Sequence, residues 1–226
     1  MSVDAVGTVR RGRGARTAIR QTRDLKMLPA LKRKLPLTEP MTPEQIEKID
    51  AASMDILENV GVQFRDNIAL ADWKRAGAKV VGEMVYLDRH LVRELIASIP
   101  ESFTYHARNP ANNLPFGNDH AIFVPMTGAP FLRDLDDVRR NPTLDDLANF
   151  HKLSHMLPAM HSTAHHIVEP YDWPISQRHL RITYSSMKHS DKTFMGMTTS
   201  PKNAQDVMEM CAILFGDDYI DTHPVV

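Results

Sequence analysis

Two stretches of the sequence carry side chains whose types and spacing could do chemistry. One stretch holds three histidines, His161, His165 and His166. The other, residues 168–174, reads Val-Glu-Pro-Tyr-Asp-Trp-Pro and sets two carboxyl groups among two large aromatic rings. Aromatic faces beside carboxylates suit a cationic substrate. A histidine suits hydrogen bonding or general-base catalysis near neutral pH.

The histidines also raise the possibility of a metal site. On a helix, His161 and His165 would share one face and could chelate one ion, whereas on a strand they would stand about 13 Å apart and His165 and His166 would point to opposite faces. We interpret this segment as a strand. We therefore expect no metal, and we expect one histidine, His165, to face a substrate.

Polar side chains that follow three short apolar runs complete the candidate site. The predicted substrate-binding residues are Thr127, His165, Glu169, Tyr171, Asp172, Trp173 and Thr198, and no catalytic residue is assigned. A purely structural role is open for each of them; Asp172 could simply cap the helix that follows it. Cys211 lies on an apolar helical stripe and is expected to be a core residue.

A repeating strand and helix pattern from residue 121 onwards would position these side chains. Strands are predicted at 121–125, within 158–170, at 193–199 and from 223. Three helices are predicted, one after Thr143, one after the second strand and one after Ser200. The residues predicted to face inward are Leu147, Phe150, Ser154 and Leu157 in the first helix, Leu180, Thr183, Tyr184 and Met187 in the second, and Ala204, Val207, Met208, Cys211 and Leu214 in the third. In such a fold the active site forms at the carboxyl ends of parallel strands.

The pattern indicates an α/β fold, a partial (β/α)8 TIM-type barrel comprising the first three to four units. A complete barrel takes about 250 residues, and residues 121–226 supply 106. We therefore expect the chain to be an N-terminal fragment of a larger enzyme. An open doubly wound sheet is the alternative, but the sequence lacks the glycine-rich turn G-x-G-x-x-G that usually accompanies it.

The sequence before the barrel divides into two further parts. Residues 37–120 are predicted to form a helical and β-ribbon N-terminal subdomain. It opens with a capping box at Thr42-Pro43-Glu44-Gln45 and a helix that stops at Gly61, followed by shorter helices at 66–76 and 88–99 and extended pieces at 80–87 and 102–107. Residues 1–36 are predicted to be a basic, flexible leader.

Composition limits the function classes. Residues 1–40 carry ten Lys and Arg against three acids, which fits an arm for a polyanion, an organelle presequence or a surface-wrapping leader. We favour the last, with no nucleic-acid binding, because no aromatic residue lies among the arginines. A single cysteine excludes an internal disulfide. No apolar run is long enough for a membrane span or a secretory signal, so we expect a cytoplasmic protein.

From Leu37 to the end, the chain resembles the trimethylamine:corrinoid methyltransferases and their relatives that act on betaines. The likeness rests on the order and spacing of several motifs: Ile-Leu-Glu-Asn-Val-Gly-Val at 56–62, Ala-Gly-Ala at 76–78, the turn at 100–103, Ala-Arg-Asn-Pro at 107–110, Pro-Thr-Leu-Asp-Asp-Leu at 142–147, Leu-Pro at 157–158 and the 168–174 stretch.

The resemblance implies a barrel enzyme that moves a methyl group from a methylated amine, such as trimethylamine or a betaine, to the cobalt of a corrinoid. The corrinoid would be carried by a separate partner protein, with no cofactor bound directly. No membrane partner is implied, and a homo-oligomer is left open. Two alternatives are a non-catalytic binding or assembly module with a basic arm, and an unrelated barrel hydrolase that uses Glu169 and a histidine.

Overall fold

A computed structural model describes residues 26–226; residues 1–25, with most of the predicted basic leader, lie outside the described residues. The backbone divides into two compact units. The smaller unit is Arg33–Phe103, and the larger unit combines residues 26–32 with Thr104–Val226. A short strand β1 (Leu31–Lys32) belongs to the larger unit.

The smaller unit packs three helices with a small antiparallel sheet. Its elements are helix α1 (Pro43–Asp55), which continues as a π-helical turn (Ile56–Val60), strand β2 (Val62–Gln63), helix α2 (Asn67–Arg75), strands β3 (Lys79–Val81) and β4 (Met84–Tyr86), and helix α3 (Arg89–Ala97). The strands lie in the order β2-β4-β3, and both pairings are antiparallel. The extended piece predicted at 80–87 is thus a hairpin of β3 and β4 that turns at Gly82, where φ is +60°.

Local capping explains where these helices begin and end. The predicted capping box is confirmed: Thr42 accepts a hydrogen bond from the Gln45 backbone, and the Gln45 side chain accepts one from the Thr42 backbone at 2.9 Å. The predicted stop at Gly61 is also confirmed, with φ +79°. A Cβ there would lie 2.9 Å from the Val85 carbonyl oxygen, so only glycine fits without a shift.

The larger unit holds the remaining elements. They are β5 (Ser102–Tyr105) at its boundary, a 3-10 turn (Pro110–Asn112), β6 (Leu114–Gly117), β7 (His120–Ala121), β8 (Leu132–Arg133), β9 (Arg139–Arg140), α4 (Leu144–Met156), α5 (Ile175–His189), α6 (Pro201–Phe215) and α7 (Asp217–Ile220). Strand β1 pairs with β7, and β8 with β9, both antiparallel. The predicted caps Thr143 and Ser200 are confirmed at α4 and α6.

Parallel backbone contacts occur at two places rather than along full strands. Ala129 is bridged to Val168, and Ser162 to Thr193, both in parallel orientation. Around the second bridge, the Thr163 amide donates to Thr193 O at 3.0 Å, and the Met195 amide donates to Ala164 O at 2.9 Å.

Two features keep these contacts from extending into the predicted strands. Pro125 and Pro130 have no N–H to donate to a ladder, and Ala164 has a left-handed φ of +54°. The described residues thus form a mixed α/β fold in which two pairs of segments run side by side in the same direction.

Two hydrophobic clusters lie beneath the helices of the larger unit. One contains Leu147, Ile167, Val168 and Ile182; the other contains Met187, Phe194, Val207, Cys211 and Val225. The prediction that Cys211 is a core residue is confirmed, and burial raises the pKa of its thiol to about 11.

Three side chains predicted to face inward are exposed instead. Tyr184 is 50% exposed, and its ring lies at the surface near Lys188 Nζ. Ile182 of the same helix is buried instead. Leu157 is 49% exposed, because α4 ends one residue earlier. Met208 is 43% exposed, so the buried face of α6 is narrower than the predicted stripe.

A buried lysine holds the carboxyl end of α4. Lys192 Nζ donates to three carbonyl oxygens, those of Ser154 at 2.9 Å, Leu157 at 2.9 Å and Met160 at 2.6 Å. The three donors of the ammonium are therefore all used, and its positive charge lies where the helix dipole is negative.

Candidate functional site

Residues 168–174 are held at the end of the first parallel contact by backbone hydrogen bonds. The Glu169 amide donates to Ala129 O at 3.0 Å, and the Tyr171 amide donates to Pro142 O at 3.0 Å. The Asp172 carboxylate accepts from the Leu144 amide at 2.9 Å. Asp172 thus caps the beginning of α4, the helix that precedes it, rather than the helix that follows. The loop is fixed to the framework at three points.

A network of charged and imidazole groups occupies the centre of the site. Glu169 forms an ion pair with Arg178 of α5, and its other oxygen lies 3.2 Å from His166 Nε2. The imidazoles of His165 and His166 are in direct contact. Arg178 also donates to the Trp173 carbonyl oxygen at 2.8 Å and 3.2 Å, and only 9% of its side chain is exposed. Its charge is therefore buried and paired.

Both histidines are held in the neutral form. Burial and, to a smaller extent, the neighbouring His166 lower the pKa of His165 to about 4, although Glu169 acts in the opposite direction. Burial also lowers the pKa of His166, although Glu169 acts in the opposite direction. At neutral pH, the pair therefore presents uncharged imidazoles, which can accept a hydrogen bond or a proton.

The two aromatic rings of the loop already lie near guanidinium groups of the chain. The Arg181 guanidinium stands over the Trp173 ring at 4.3 Å from its centroid. The Arg178 guanidinium lies 5.7 Å from the ring centroid of Tyr171, a residue that is 47% exposed. Within residues 26–226, the buried Trp173 Nε1 has no hydrogen-bond partner. Each ring thus has one arginine nearby, and of the two it is the exposed Arg181 on which a ligand with an anionic group could also bind.

Thr127 and Thr198 lie at exposed positions near the ends of the parallel segments. Thr127 precedes Gly128, whose amide donates to His166 O at 2.8 Å. A Cβ atom added to Gly128 would lie 3.8 Å from His166 Nε2. The structure therefore places Thr127 beside the histidine pair. Thr198 follows Met195 on the next segment by three residues, and no hydrogen bond links it to the network among the described residues.

Sequence reasoning missed the arginines of α5. Arg178 and Arg181 stand in the amino-terminal half of a helix that carries no acidic residue. A helix without acids offers its arginines no oppositely charged neighbour one turn away, so this composition was the available signal that groups outside the helix pair with them.

A buried histidine supports the site from behind. His151 of α4 is fully buried, with Nδ1 2.9 Å from Ser185 Oγ and Nε2 3.3 Å from Ser186 Oγ. Burial lowers the pKa of His151 to about 4. The neutral ring thereby links α4 to α5 beneath the loop that carries His165.

In the described part of the chain, no three His, Cys, Asp or Glu side chains are grouped so that they could hold a metal ion. None of the helices between residues 26 and 226 is long and apolar enough to cross a membrane.

The comparisons with known proteins all identify methyltransferases. Residues 9–226 match the family model for trimethylamine methyltransferase (MTTB). The chain is 44% identical over 193 residues to the glycine betaine methyltransferase of Desulfitobacterium hafniense (strain Y51). The aligned stretch covers 85% of this chain and 40% of that protein.

Two relatives from Eubacterium limosum align over shorter stretches. The proline betaine:corrinoid methyltransferase is 30% identical over 109 residues, 48% of this chain and 22% of that protein. The L-carnitine:corrinoid methyltransferase is 26% identical over 111 residues, 49% of this chain and 22% of that protein. The chain thus spans less than half the length of each of these relatives.

Proposed function

Because the chain belongs to the trimethylamine methyltransferase family, we propose that it forms part of an enzyme that transfers a methyl group from a betaine to a corrinoid carried by a partner protein. The relatives are named for glycine betaine, proline betaine and L-carnitine as well as trimethylamine. The first three compounds combine a quaternary ammonium group with a carboxylate, and trimethylamine has no carboxylate.

The charge balance of the site supports a betaine over trimethylamine. Arg178 and Arg181 oppose the carboxylates of Glu169 and Asp172, while the imidazole of His165 is neutral. A site with no net charge suits a zwitterion, whereas the trimethylammonium cation would favour a net negative one. This balance, set around two aromatic rings, is the observation that carries the proposal.

Each end of a betaine would have a partner in this arrangement. Arg181 is exposed above Trp173 and can pair with the substrate carboxylate through its remaining donors. The faces of Tyr171 and Trp173 that are open can receive the quaternary ammonium group. Neutral His165 would add no positive charge beside that ammonium.

Methyl transfer then requires orientation more than proton movement. A reduced corrinoid supplies a cobalt nucleophile, so the chain has to hold the methyl–nitrogen bond in line with it and keep water away. Glu169 and Asp172 would serve this purpose indirectly, because they fix the loop that presents the two rings. Exposed Thr127 and Thr198 leave the same side of the site accessible to a partner protein.

We further propose that the two parallel contacts are the beginning of a (β/α)8 barrel. The domain proposal is a leader at 1–36, a helical subdomain at 37–120 and barrel units at 121–226, in a cytoplasmic enzyme. Since the chain spans 40% of the glycine betaine methyltransferase, methyl transfer is proposed for the complete gene product.

A substrate panel tests the proposal. The complete gene product is mixed with a partner corrinoid protein reduced to cob(I)alamin, and methylation of cobalt is followed by its absorption spectrum. Glycine betaine, proline betaine, carnitine and trimethylamine are compared. We expect a betaine to be used at least tenfold more efficiently, in kcat/KM, than trimethylamine. Use of trimethylamine alone, or of none of the four, would contradict the proposal.

Arg181→Gln separates the carboxylate contact from general damage. We expect KM for a betaine to rise at least tenfold, since a charge-assisted hydrogen bond contributes about 1.5 to 3 kcal/mol, with kcat changed much less. Lys188→Gln is the matched control, because Lys188 also stacks on an aromatic ring, Tyr184, but at the other end of α5. Equal effects of the two substitutions on KM would remove the proposed role of Arg181.

A further inference from the structure

Two imidazole rings lie side by side in the candidate site. The ring centroids of His165 and His166 are 4.3 Å apart, the rings are inclined at 69°, and their Nδ1 atoms are in direct contact. Each nitrogen of a neutral imidazole either carries a proton and donates a hydrogen bond or keeps a lone pair and accepts one. Two lone pairs or two N–H groups would repel each other, so one of these Nδ1 atoms is protonated and the other is not.

The carboxylate of Glu169 decides which ring gives that proton. One of its oxygens pairs with the buried guanidinium of Arg178, and the other lies 3.2 Å from His166 Nε2. A lone pair on Nε2 would repel a carboxylate oxygen at this distance, whereas an N–H group is attracted to it. Since the group beside one ring nitrogen fixes the state of the other, neutral His166 carries its proton on Nε2 and keeps a lone pair on Nδ1.

The contact with His166 then fixes the proton of His165. Nδ1 of His165 faces the lone pair of His166, so it is protonated and donates. Burial favours the neutral form of both rings, so His165 has one proton and its Nε2 has none. His165 is half-buried, and within residues 26–226 its Nε2 has no hydrogen-bond partner. A chain of contacts from Arg178 through Glu169 and His166 therefore ends at an unprotonated nitrogen that points away from His166.

We propose that His165 determines specificity for the quaternary ammonium group, and that Glu169 and His166 are positioning residues that keep its unprotonated Nε2 towards the substrate. This inference rests on the proposed function, because its ligand is a betaine. A neutral imidazole is a dipole whose negative end is the unprotonated nitrogen. A quaternary ammonium group spreads its positive charge over methyl groups and has no N–H to donate. The other tautomer would direct a positive N–H at this cation and weaken its binding.

An oriented dipole attracts the cation without adding a charge to the site. The balance of Arg178 and Arg181 against Glu169 and Asp172 is therefore kept, as a zwitterionic substrate requires. A third carboxylate in the place of His165 would make the site net negative and would favour a simple cation. Because the dipole acts on the bound cation, its contribution should appear in KM more than in kcat.

Nuclear magnetic resonance of the chain tests the assigned protons directly. The histidines are labelled with ¹⁵N, and long-range ¹H–¹⁵N correlations at neutral pH show which nitrogen of each ring is protonated. The variants His165→Gln and His166→Gln identify the two sets of signals among the 11 histidines. We expect the proton of His165 on Nδ1 and the proton of His166 on Nε2.

Replacing His166 tests the chain of contacts. His166→Phe keeps an aromatic ring but offers no lone pair to Nδ1 of His165, so we expect the proton of His165 to be distributed over both of its nitrogens. His155→Phe is the matched control, because His155 of α4 also lies beside a carboxylate, that of Asp191 at 3.4 Å, but outside the site. It should leave the signals of His165 unchanged.

Two ligands of equal shape test the role of the dipole. Glycine betaine and 3,3-dimethylbutanoate have the same carboxylate and the same three methyl groups, but the second has a neutral carbon in place of the nitrogen. Calorimetry measures the binding of each to the complete gene product. We expect His165→Phe to weaken binding of glycine betaine about fivefold or more and binding of the neutral isostere less than about twofold. His155→Phe should change neither.

A proton on Nε2 of His165 or on Nδ1 of His166 would overturn the inference. Equal losses of affinity for the two ligands in His165→Phe would do the same, and unchanged signals of His165 in His166→Phe would remove the positioning role of His166. The tautomers are measured without substrate or corrinoid, so a failure there leaves the proposed methyl transfer intact. Conversely, a betaine that binds with the expected preference but methylates no corrinoid would refute the proposed reaction and support this inference.

Discussion

Residues 33–103 bury only three side chains, Met54, Val85 and Leu87, whereas the larger unit buries charged and polar groups beside its hydrophobic clusters. The ion pairs of the smaller unit are also more exposed: Arg93 and Asp50 are 52% and 44% exposed, against 9% and 20% for Arg178 and Glu169. Local caps and surface pairs therefore shape the smaller unit. Buried polar contacts, which lose more free energy than exposed ones when a partner is removed, shape the larger one.

Removing one arginine from each unit should show the largest difference. We expect Arg178→Met to destabilise the chain by about 3 kcal/mol, because Glu169 would lose its charged partner in a largely buried place. Arg93→Met, its counterpart in the smaller unit, should cost less than about 1 kcal/mol. Urea unfolding followed by circular dichroism measures both. Equal losses would mean that burial does not distinguish the two pairs.

Lys192→Met should have the next largest effect, about 2 kcal/mol. The substitution leaves the carbonyls of Ser154, Leu157 and Met160 without their shared donor. Lys202→Met is the control, since Lys202 is 79% exposed in its pair with Asp206 and should change stability by less than about 0.5 kcal/mol. Indistinguishable urea midpoints for the two variants would show that Lys192 does not hold the end of α4.

Acid should destabilise the larger unit by a smaller amount. Burial lowers the pKa of His151 from 6.5 to about 4, so the unfolded chain takes up a proton at higher pH than the folded chain. The stabilisation is present above pH 6.5 and is lost as the pH falls towards 4. At pH 5.5 we expect a loss on the order of 1 kcal/mol from this residue.

The matched variants for this effect are His151→Gln and His90→Gln. The first should weaken the dependence of unfolding free energy on pH between 6.5 and 4 and leave the part due to His165, whose pKa is also lowered to about 4. The second should leave it unchanged, because His90, in the smaller unit, is exposed. A pH dependence that survives His151→Gln in full would assign the titration to other groups.

Much of the helical framework could be predicted from sequence, because caps are short-range. Thr42, Thr143 and Ser200 act within three residues of themselves, and each predicted helix start is found. The resemblance to the methyltransferase family was also readable, and the match over residues 9–226 confirms it. The helix starts could be predicted because a cap involves only a few neighbouring residues. The family resemblance could be predicted because it rests on the order of the motifs.

The contacts across the larger unit could not be predicted in the same way. The Glu169 to Arg178 pair, the Asp172 cap on α4 and the Lys192 contacts all depend on how distant segments approach each other. The predicted strands were also too long, because the interruption at Ala164 is a backbone conformation that alanine rarely adopts and that composition does not reveal.

Ala164 has a consequence for how related sequences would vary. Its left-handed backbone penalises β-branched residues, and its fully buried methyl group leaves no room for a larger side chain. Evolution would thus be confined to alanine and glycine at this position, directly before His165. A conserved small residue at this position would therefore reflect the backbone conformation. Its place next to His165 would invite a catalytic interpretation that the structure does not require.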